Sequence, residues 1–327
     1  MKVGSVVRGS AVSRVVATFV LVCCSACGGQ TETAASDGPA DDGVAATAAT
    51  APASIDEVTG GPIEPELVGA GVISTPDGNQ TFPAEDPRTG DLWISVYSDD
   101  FDEQTIMVSR RTASGWSMPE VAPFSGRWGD RAPRFDPGGT TLYFTSNRPR
   151  SPEAEPGDMN IWRVVRAGDT WSAPELVPGA VNSPARDIHM AVTDSGLWFA
   201  SAREGGFGRS DVYRVSRSDP GFAFHLPAPV NDSLSQPDVW VSADESWMIL
   251  VITDHPSGHG GDDLYVLRRD GDGWTSAVNA GPRVNSPDYE YGPTLSRDGQ
   301  HILFASHRGE NANVYRVPVA ELRALIR

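Results

Sequence analysis

Short apolar runs recur along the chain, and each ends in small residues, most often a hydroxyl or an alanine. They read Leu142-Tyr143-Phe144-Thr145-Ser146, Leu197-Trp198-Phe199-Ala200-Ser201, Ile249-Leu250-Val251-Ile252-Thr253 and Ile302-Leu303-Phe304-Ala305-Ser306, with a weaker first copy at Leu92-Trp93-Ile94-Ser95-Val96. The spacing is 50 to 55 residues. Each run is too short for a helix and apolar at successive positions, the pattern of a strand covered on both faces. A turn precedes each run, as in Asp136-Pro137-Gly138-Gly139, Asp194-Ser195-Gly196 and Arg297-Asp298-Gly299. Before the turn stands another short strand, as in Pro133-Arg134-Phe135 or Pro293-Thr294-Leu295. After the run come a polar or glycine-rich loop and a third strand, which opens on Asn or Asp: Asn160-Ile161-Trp162, Asp211-Val212-Tyr213, Asp263-Leu264-Tyr265 and Asn313-Val314-Tyr315. A fourth strand carries an aromatic residue and often a proline, as in Trp116-Ser117-Met118-Pro119 and Trp171-Ser172-Ala173-Pro174. Proline cannot donate to a sheet ladder, so this strand is expected at the outer edge.

Four strands per unit, repeated and buried on both faces, predict an all-β fold: a five-bladed β-propeller of four-stranded antiparallel blades. The fifth unit ends after its third strand at Val317, and Val319 to Ile326 reads as a short helix. The missing strand is expected from the other end, where Pro65-Glu66-Leu67 repeats Pro174-Glu175-Leu176. Further on, Val72-Ile73-Ser74-Thr75-Pro76-Asp77 echoes Val284-Asn285-Ser286-Pro287-Asp288. The last blade would thus be closed by an N-terminal strand.

The propeller is assigned to residues 62–320, with a short tail at 321–327. Residues 28–61 are Ala, Thr, Gly, Ser, Pro, Asp and Glu with almost no large apolar side chain. Such a stretch cannot offset its ordering entropy and reads as a disordered tether with a mean reach of roughly 30 Å. Residues 1–27 carry Lys2, Arg8 and Arg14 ahead of the apolar stretch Val15 to Cys24, then Ser25-Ala26-Cys27-Gly28. The apolar stretch is too short to span a bilayer and suits a signal peptide. The segment resembles a bacterial lipoprotein signal, which implies lipidation at Cys27 and a protein held at the cell envelope, facing the periplasm or the exterior.

Composition narrows the function. Formal net charge is −17, and Lys2 is the only lysine. A strongly acidic body argues against nucleic acid and against anionic lipid as ligands, leaving the lipid anchor as the membrane contact. Cys23, Cys24 and Cys27 are the three cysteines, so the region beyond the leader holds neither a disulfide nor a cysteine nucleophile.

The combination of Leu295-Ser296-Arg297-Asp298-Gly299, Ser201-Ala202-Arg203-Glu204-Gly205-Gly206-Phe207-Gly208 and Asp211-Val212-Tyr213 resembles the WD-repeat-like propeller repeats of the TolB-like family, over roughly 260 residues. The resemblance implies an envelope protein that binds other envelope proteins, and no catalytic set. That family has six blades and a separate N-terminal domain, and the sequence read here departs from both.

Two charges recur with the repeat. Asp130, Asp187 and Glu290 stand ahead of the first strand's centre, with Gln80 and Gln236 as uncharged copies; Arg148, Arg203 and Arg308 follow the second strand, with His255 in the fourth copy. They form either a ligand-binding rim or arginine–carboxylate clamps between adjacent blades. The fourth unit breaks the pattern with Asp254-His255-Pro256-Ser257-Gly258-His259-Gly260-Gly261-Asp262-Asp263, where His255, His259 and Asp262 are weak candidates for a divalent metal. Asp99-Asp100-Phe101-Asp102-Glu103 is acidic but lacks the spaced oxygens of a known calcium loop, so no cofactor is expected, with calcium the one alternative. Trp128, Trp240, Tyr289 and Tyr291 lie near inter-blade connections and suit stacking if exposed, or plugging if buried.

The leading expectation is a monomeric, non-enzymatic module binding an envelope protein or polysaccharide. One alternative is a glycoside hydrolase-like enzyme using Asp130, Asp187 and Glu290, with Asp238 and Asp288 in the wider set of acids. Another is a metal-dependent lectin.

Overall fold

The computed structural model describes residues 64–98 and 104–327. These residues form five antiparallel blades and a separate two-stranded ribbon, Arg111–Thr112 with Gly115–Trp116. Blade I comprises Asn79–Glu85, Leu92–Tyr97, Gln104–Ser109 and Glu120–Val121. Blade II comprises Asp130–Phe135, Thr141–Ser146, Asn160–Ala167 and Glu175–Leu176. Blade III runs Asp187–Val192, Gly196–Ser201, Asp211–Ser216 and Asp219–His225. Blade IV runs Ser235–Val241, Trp247–Thr253, Asp262–Asp270 and Val278–Asn279. Blade V takes Glu290–Leu295, His301–Ser306 and Asn313–Pro318 from the C-terminal part and Glu66–Leu67 from the N-terminal part.

The first strands touch one another in the order I, II, III, IV, V and back to I, which closes the ring. Side chains alternate across each strand, so each second strand feeds two interfaces. Phe144 packs toward blade I while Tyr143 packs toward blade III. Five apolar clusters follow, one at each of the five contacts between neighbouring blades. The helix Val319–Ala324 crosses the expected boundary at residue 320, and its Leu322 together with Ile326 of the following turn sinks into the cluster between blades IV and V.

The N-terminal closure is found in the expected register. Glu66 pairs with Arg316 and Leu67 with Tyr315, as Glu175 pairs with Arg163 and Leu176 with Trp162 in blade II. Both glutamates also carry an ion pair to the paired arginine, at 2.6 Å in each case. The second echo is shifted by one residue from the expected alignment. Ser74, not Ile73, stands where Asn285 stands: its hydroxyl accepts the Val314 N–H at 3.2 Å, as the Asn285 amide accepts the Leu264 N–H at 2.9 Å. Ile73 is fully buried between blades V and I.

The outer strand is less regular than the aromatic–proline pattern implies. In blades I, II and IV it is split into two-residue pieces on either side of a bend. A hydroxyl fills the gap: Ser117, Ser172 and Thr275 accept the N–H of Arg110, Val165 and Arg268. Prolines also stand in the first strands, at Pro83, Pro133, Pro237 and Pro293. The first strand is itself an edge, facing the central channel, and every copy carries a bulge there.

Candidate functional site at the channel mouth

The recurring charges form clamps within single blades rather than between adjacent ones, because each arginine and its acid lie at the ends of neighbouring strands of the same sheet. Arg148 meets Asp130 at 2.6 Å, Arg203 meets Asp187 at 2.8 Å and Arg308 meets Glu290 at 3.7 Å. Each arginine also donates its Nε–H to the serine two residues before it, at 2.8–2.9 Å. Its terminal nitrogens reach carbonyls of the connection entering the same blade: Phe124, Ala180 and Val181, Arg283 and Val284. The guanidinium then stacks over the third strand's aromatic ring, at 5.5 Å from Trp162, 4.7 Å from Tyr213 and 4.8 Å from Tyr315. Asp130, Asp187 and Glu290 are 0% exposed. Burial pushes the Asp130 and Glu290 carboxyls above their ordinary range despite the arginines, with the serine bonds opposing. In blade IV, Gln236 replaces the acid, and the His255 ring lies 4.9 Å from Tyr265 in the arginine's place.

The glycine-rich loop of blade IV is a packing device. The Asp263 carboxylate accepts the N–H groups of His259 and Gly260 at 2.5 and 3.1 Å, and Gly261 donates to the Asp288 carbonyl at 2.7 Å. A Cβ on Gly260 would lie 2.1 Å from that same carbonyl oxygen. His255 Nδ1 accepts the Ser257 N–H at 3.1 Å. Among the described residues, no three His, Cys, Asp or Glu side chains are grouped to hold a metal. Cys27 and Asp99–Glu103 lie outside the described residues.

On the channel axis the bulges bring Phe82, Ala132, His189, Asp238 and Gly292 to equivalent places. Phe82 packs 4.5 Å from the His189 ring and 5.1 Å from the Tyr291 ring, closing the channel with apolar surface. Beside this plug the fully buried Asp238 accepts the N–H groups of Gly292 and Val239 at 2.7 and 2.9 Å. Burial raises its carboxyl to about 6, with Arg134 pulling the other way. Arg134 donates to the carbonyls of Pro83, Pro133 and Pro293 and so ties blades I, II and V at the axis. His189 Nδ1 meets the Pro237 carbonyl at 3.0 Å, and burial, then Arg131, push the imidazole well below its ordinary range.

Above the plug the mouth opens asymmetrically. A pocket of about 500 Å³ lies between blades III and IV, walled by Arg186, Arg209, Asp254, Asp262 and Tyr289. Arg186 and Arg209 make no ion pair within 4.0 Å among the described residues. Burial, then the neighbouring guanidiniums of Arg131 and Arg209, push Arg186 below its ordinary pKa, with the Asp158 carboxylate pulling the other way. Asp262 is pushed up by burial and by the Asp254 carboxylate, while its bond from Thr253 at 2.6 Å pulls it down. Tyr289 is 49% exposed and packs edge-on against His307, whose Nε2 meets the Tyr291 hydroxyl at 2.9 Å.

Of the aromatics expected near the connections, Trp240 is buried against Trp247 between blades IV and V, and Tyr291 belongs to the plug. Trp128 is partly exposed under Arg127. Arg131, Arg186 and Arg209 are functional candidates that the repeat pattern does not mark. A signal exists: Arg131 and Arg186 flank clamp acids in the pairs Asp130-Arg131 and Arg186-Asp187, and neither position recurs as a cation in the other blades.

No protein-family model matches the chain, and no curated protein matches it. Solved structures do. The catalytic domain of a GH62 α-L-arabinofuranosidase from Coprinopsis cinerea is 12% identical over 79% of this chain and 98% of that one, with a TM-score of 0.50. A protein from Agrobacterium tumefaciens described as a TolB is 16% identical over 76% and 79%, with a TM-score of 0.48. A mannose phosphorylase from Leishmania mexicana is 12% identical over 81% and 90%, also at 0.48. These are similarities of fold alone.

Proposed function

We propose that the protein is a non-enzymatic binding module of the bacterial cell envelope, anchored through Cys27, spaced from the membrane by residues 28–61, and engaging its ligand at the channel mouth between blades III and IV. One observation carries this reading. The acids that glycoside cleavage would use, Asp130, Asp187 and Glu290, are sealed inside clamps with 0% exposure, while the open pocket is lined by two arginines, two aspartates, a tyrosine, a serine, a threonine and a proline. The charged and hydroxyl groups of that set are suited to holding and orienting a ligand. Among the described residues no helix is long and apolar enough to cross a membrane, so the anchor at Cys27 supplies attachment in this reading.

The experiment has two arms. Saturable binding of an envelope glycan or protein to the immobilised protein, weakened by Arg209→Gln, supports the module. Turnover of a polysaccharide that disappears in Glu290→Gln establishes the glycoside-hydrolase alternative instead. Calcium-dependent glycan binding establishes the lectin. Palmitate labelling that is lost in Cys27→Ser tests the anchor separately.

A further inference from the structure

We propose that the mouth pocket recognises an acidic sugar, its carboxylate held by Arg186 and Arg209 and its ring hydroxyls by Asp254 and Asp262. The inference rests on the binding-module reading and names its ligand class.

The arginine pair is the starting point. The chain carries 43 acidic and 26 basic residues, so carboxylates are in excess. The clamp arginines and Arg163, Arg166 and Arg316 each have one within reach. Arg186 and Arg209 have none, and they stand close enough, with Arg131, for the positive charges to oppose one another. The Asp158 and Asp262 carboxylates act on Arg186 and Arg209 from beyond ion-pair distance, which leaves the guanidinium N–H groups open to a bound anion. The planar guanidinium fork suits a carboxylate best when two N–H groups meet its two oxygens.

The two aspartates of the pocket rule on the rest of the ligand. Asp254 and Asp262 line the same pocket, close enough for the Asp254 carboxylate and the Arg209 guanidinium both to act on Asp262. They would repel a compact anion such as sulfate or phosphate that filled the space. They would accept hydrogen bonds from hydroxyl groups set apart from the anionic end. A ligand that carries one localised carboxylate and several hydroxyl donors around a ring satisfies both the arginines and the aspartates. The volume of about 500 Å³ holds one or two sugar rings. Tyr289 adds a half-exposed ring face at the entrance, the kind of surface on which a pyranose stacks. Under the pocket, His189 Nε2 is buried with no protein partner, and its other ring nitrogen bonds the carbonyl of Pro237, a pocket residue.

Titration calorimetry of the full chain in detergent tests this, with tri-galacturonate, tri-galactose and a tri-aspartate peptide as probes. The expected result is saturable binding of tri-galacturonate, at least about tenfold weaker for tri-galactose and for the peptide. Arg209→Gln and Asp262→Asn should each weaken it by about tenfold or more at unchanged melting temperature. Arg163→Gln, on the outer edge of blade II, should leave it unaltered. Raising salt should weaken binding of the acidic sugar. Equal affinity for the neutral trisaccharide, still sensitive to Arg209→Gln, overturns the acidic-sugar assignment and leaves the binding module standing. Binding of the peptide alone does the same and moves the ligand to proteins. Binding by no probe overturns the assignment. Turnover of the trisaccharide overturns the module reading itself.

Discussion

Asp238 is the most exposed of the buried groups to a simple pH argument, because its carboxyl titrates near neutrality inside the fold. Its pKa is about 6 in the folded protein, against an ordinary 3.8, chiefly through burial. The folded state therefore binds this proton more tightly than the unfolded chain does. The stabilisation is complete below about pH 4 and is lost as pH rises through about 6, by about 3 kcal/mol in all. His189, Arg134 and Asp262 act nearby, and a depressed His189 works in the opposite sense, losing stability as pH falls below its ordinary pKa. The difference between wild type and Asp238→Asn isolates the aspartate. Asparagine keeps one acceptor for the Gly292 and Val239 N–H groups and carries no charge, so the variant escapes the cost of burying the carboxylate. Its stability relative to wild type should rise by about 3 kcal/mol from pH 4 to pH 7, in urea unfolding at each pH. A difference independent of pH would show that the group ionises normally. Arg148 supports a second prediction. Arg148→Met leaves the Asp130 carboxyl buried beside only Ser125 and Ser146, and should cost about 3–5 kcal/mol. Adding Asp130→Asn should recover part of that loss, because the uncompensated charge goes with it.

At the level of the element, the strands were legible because their side chains obey period two against two neighbours at once, and the glycine loops were legible only as loops. Their purpose is a backbone contact, which no side-chain pattern records. Gly208 in blade III and Gly260 in blade IV each bring the loop between second and third strands onto the connection to the next blade. A Cβ at Gly208 would sit 1.6 Å from the Leu234 carbonyl oxygen. Gly208→Ala should therefore force the loop away and cost about 1–3 kcal/mol. Gly157→Ala, in the corresponding loop of blade II with nothing within 4 Å and no positive φ, should stay within about 0.5 kcal/mol by thermal unfolding. Equal effects of the two would mean that the loop yields without loss. The clamps were visible in sequence for the converse reason: a side chain that repeats a structural task repeats at a fixed interval. The mouth pocket does one task once. Arg186 precedes a clamp acid, Arg209 closes a loop and Asp262 opens a strand, and only the ring brings the three together.

The whole ring depends on a join between segments more than two hundred residues apart. Blades I to IV each draw their strands from one continuous stretch, whereas blade V needs Glu66–Leu67 from the other end of the described chain. Beyond that short strand, Val68 donates to the Val314 carbonyl at 2.9 Å, and Val68 and Ile73 fill the interface of blades V and I. A chain starting at Gly69 keeps Ile73 but loses the outer strand and the Val68 side chain, and so uncovers the edge of Asn313–Pro318. Burial of one valine alone is worth about 1.5–3 kcal/mol. Relative to a chain starting at Glu64, the shorter one should be less stable by at least about 2 kcal/mol, or roughly 4–8 °C in Tm. The bared edge offers unpaired N–H and C=O groups, so the shorter chain should also self-associate as its concentration rises. Ile73→Ala separates packing from pairing: it should cost about 2–5 kcal/mol and leave the protein monodisperse in sedimentation velocity. Both chains melting together would mean that the interface of blades V and I holds without its N-terminal strand. The closure would then rest on the first strands around the channel, where Arg134 ties the carbonyls of Pro83 and Pro293 across that same join.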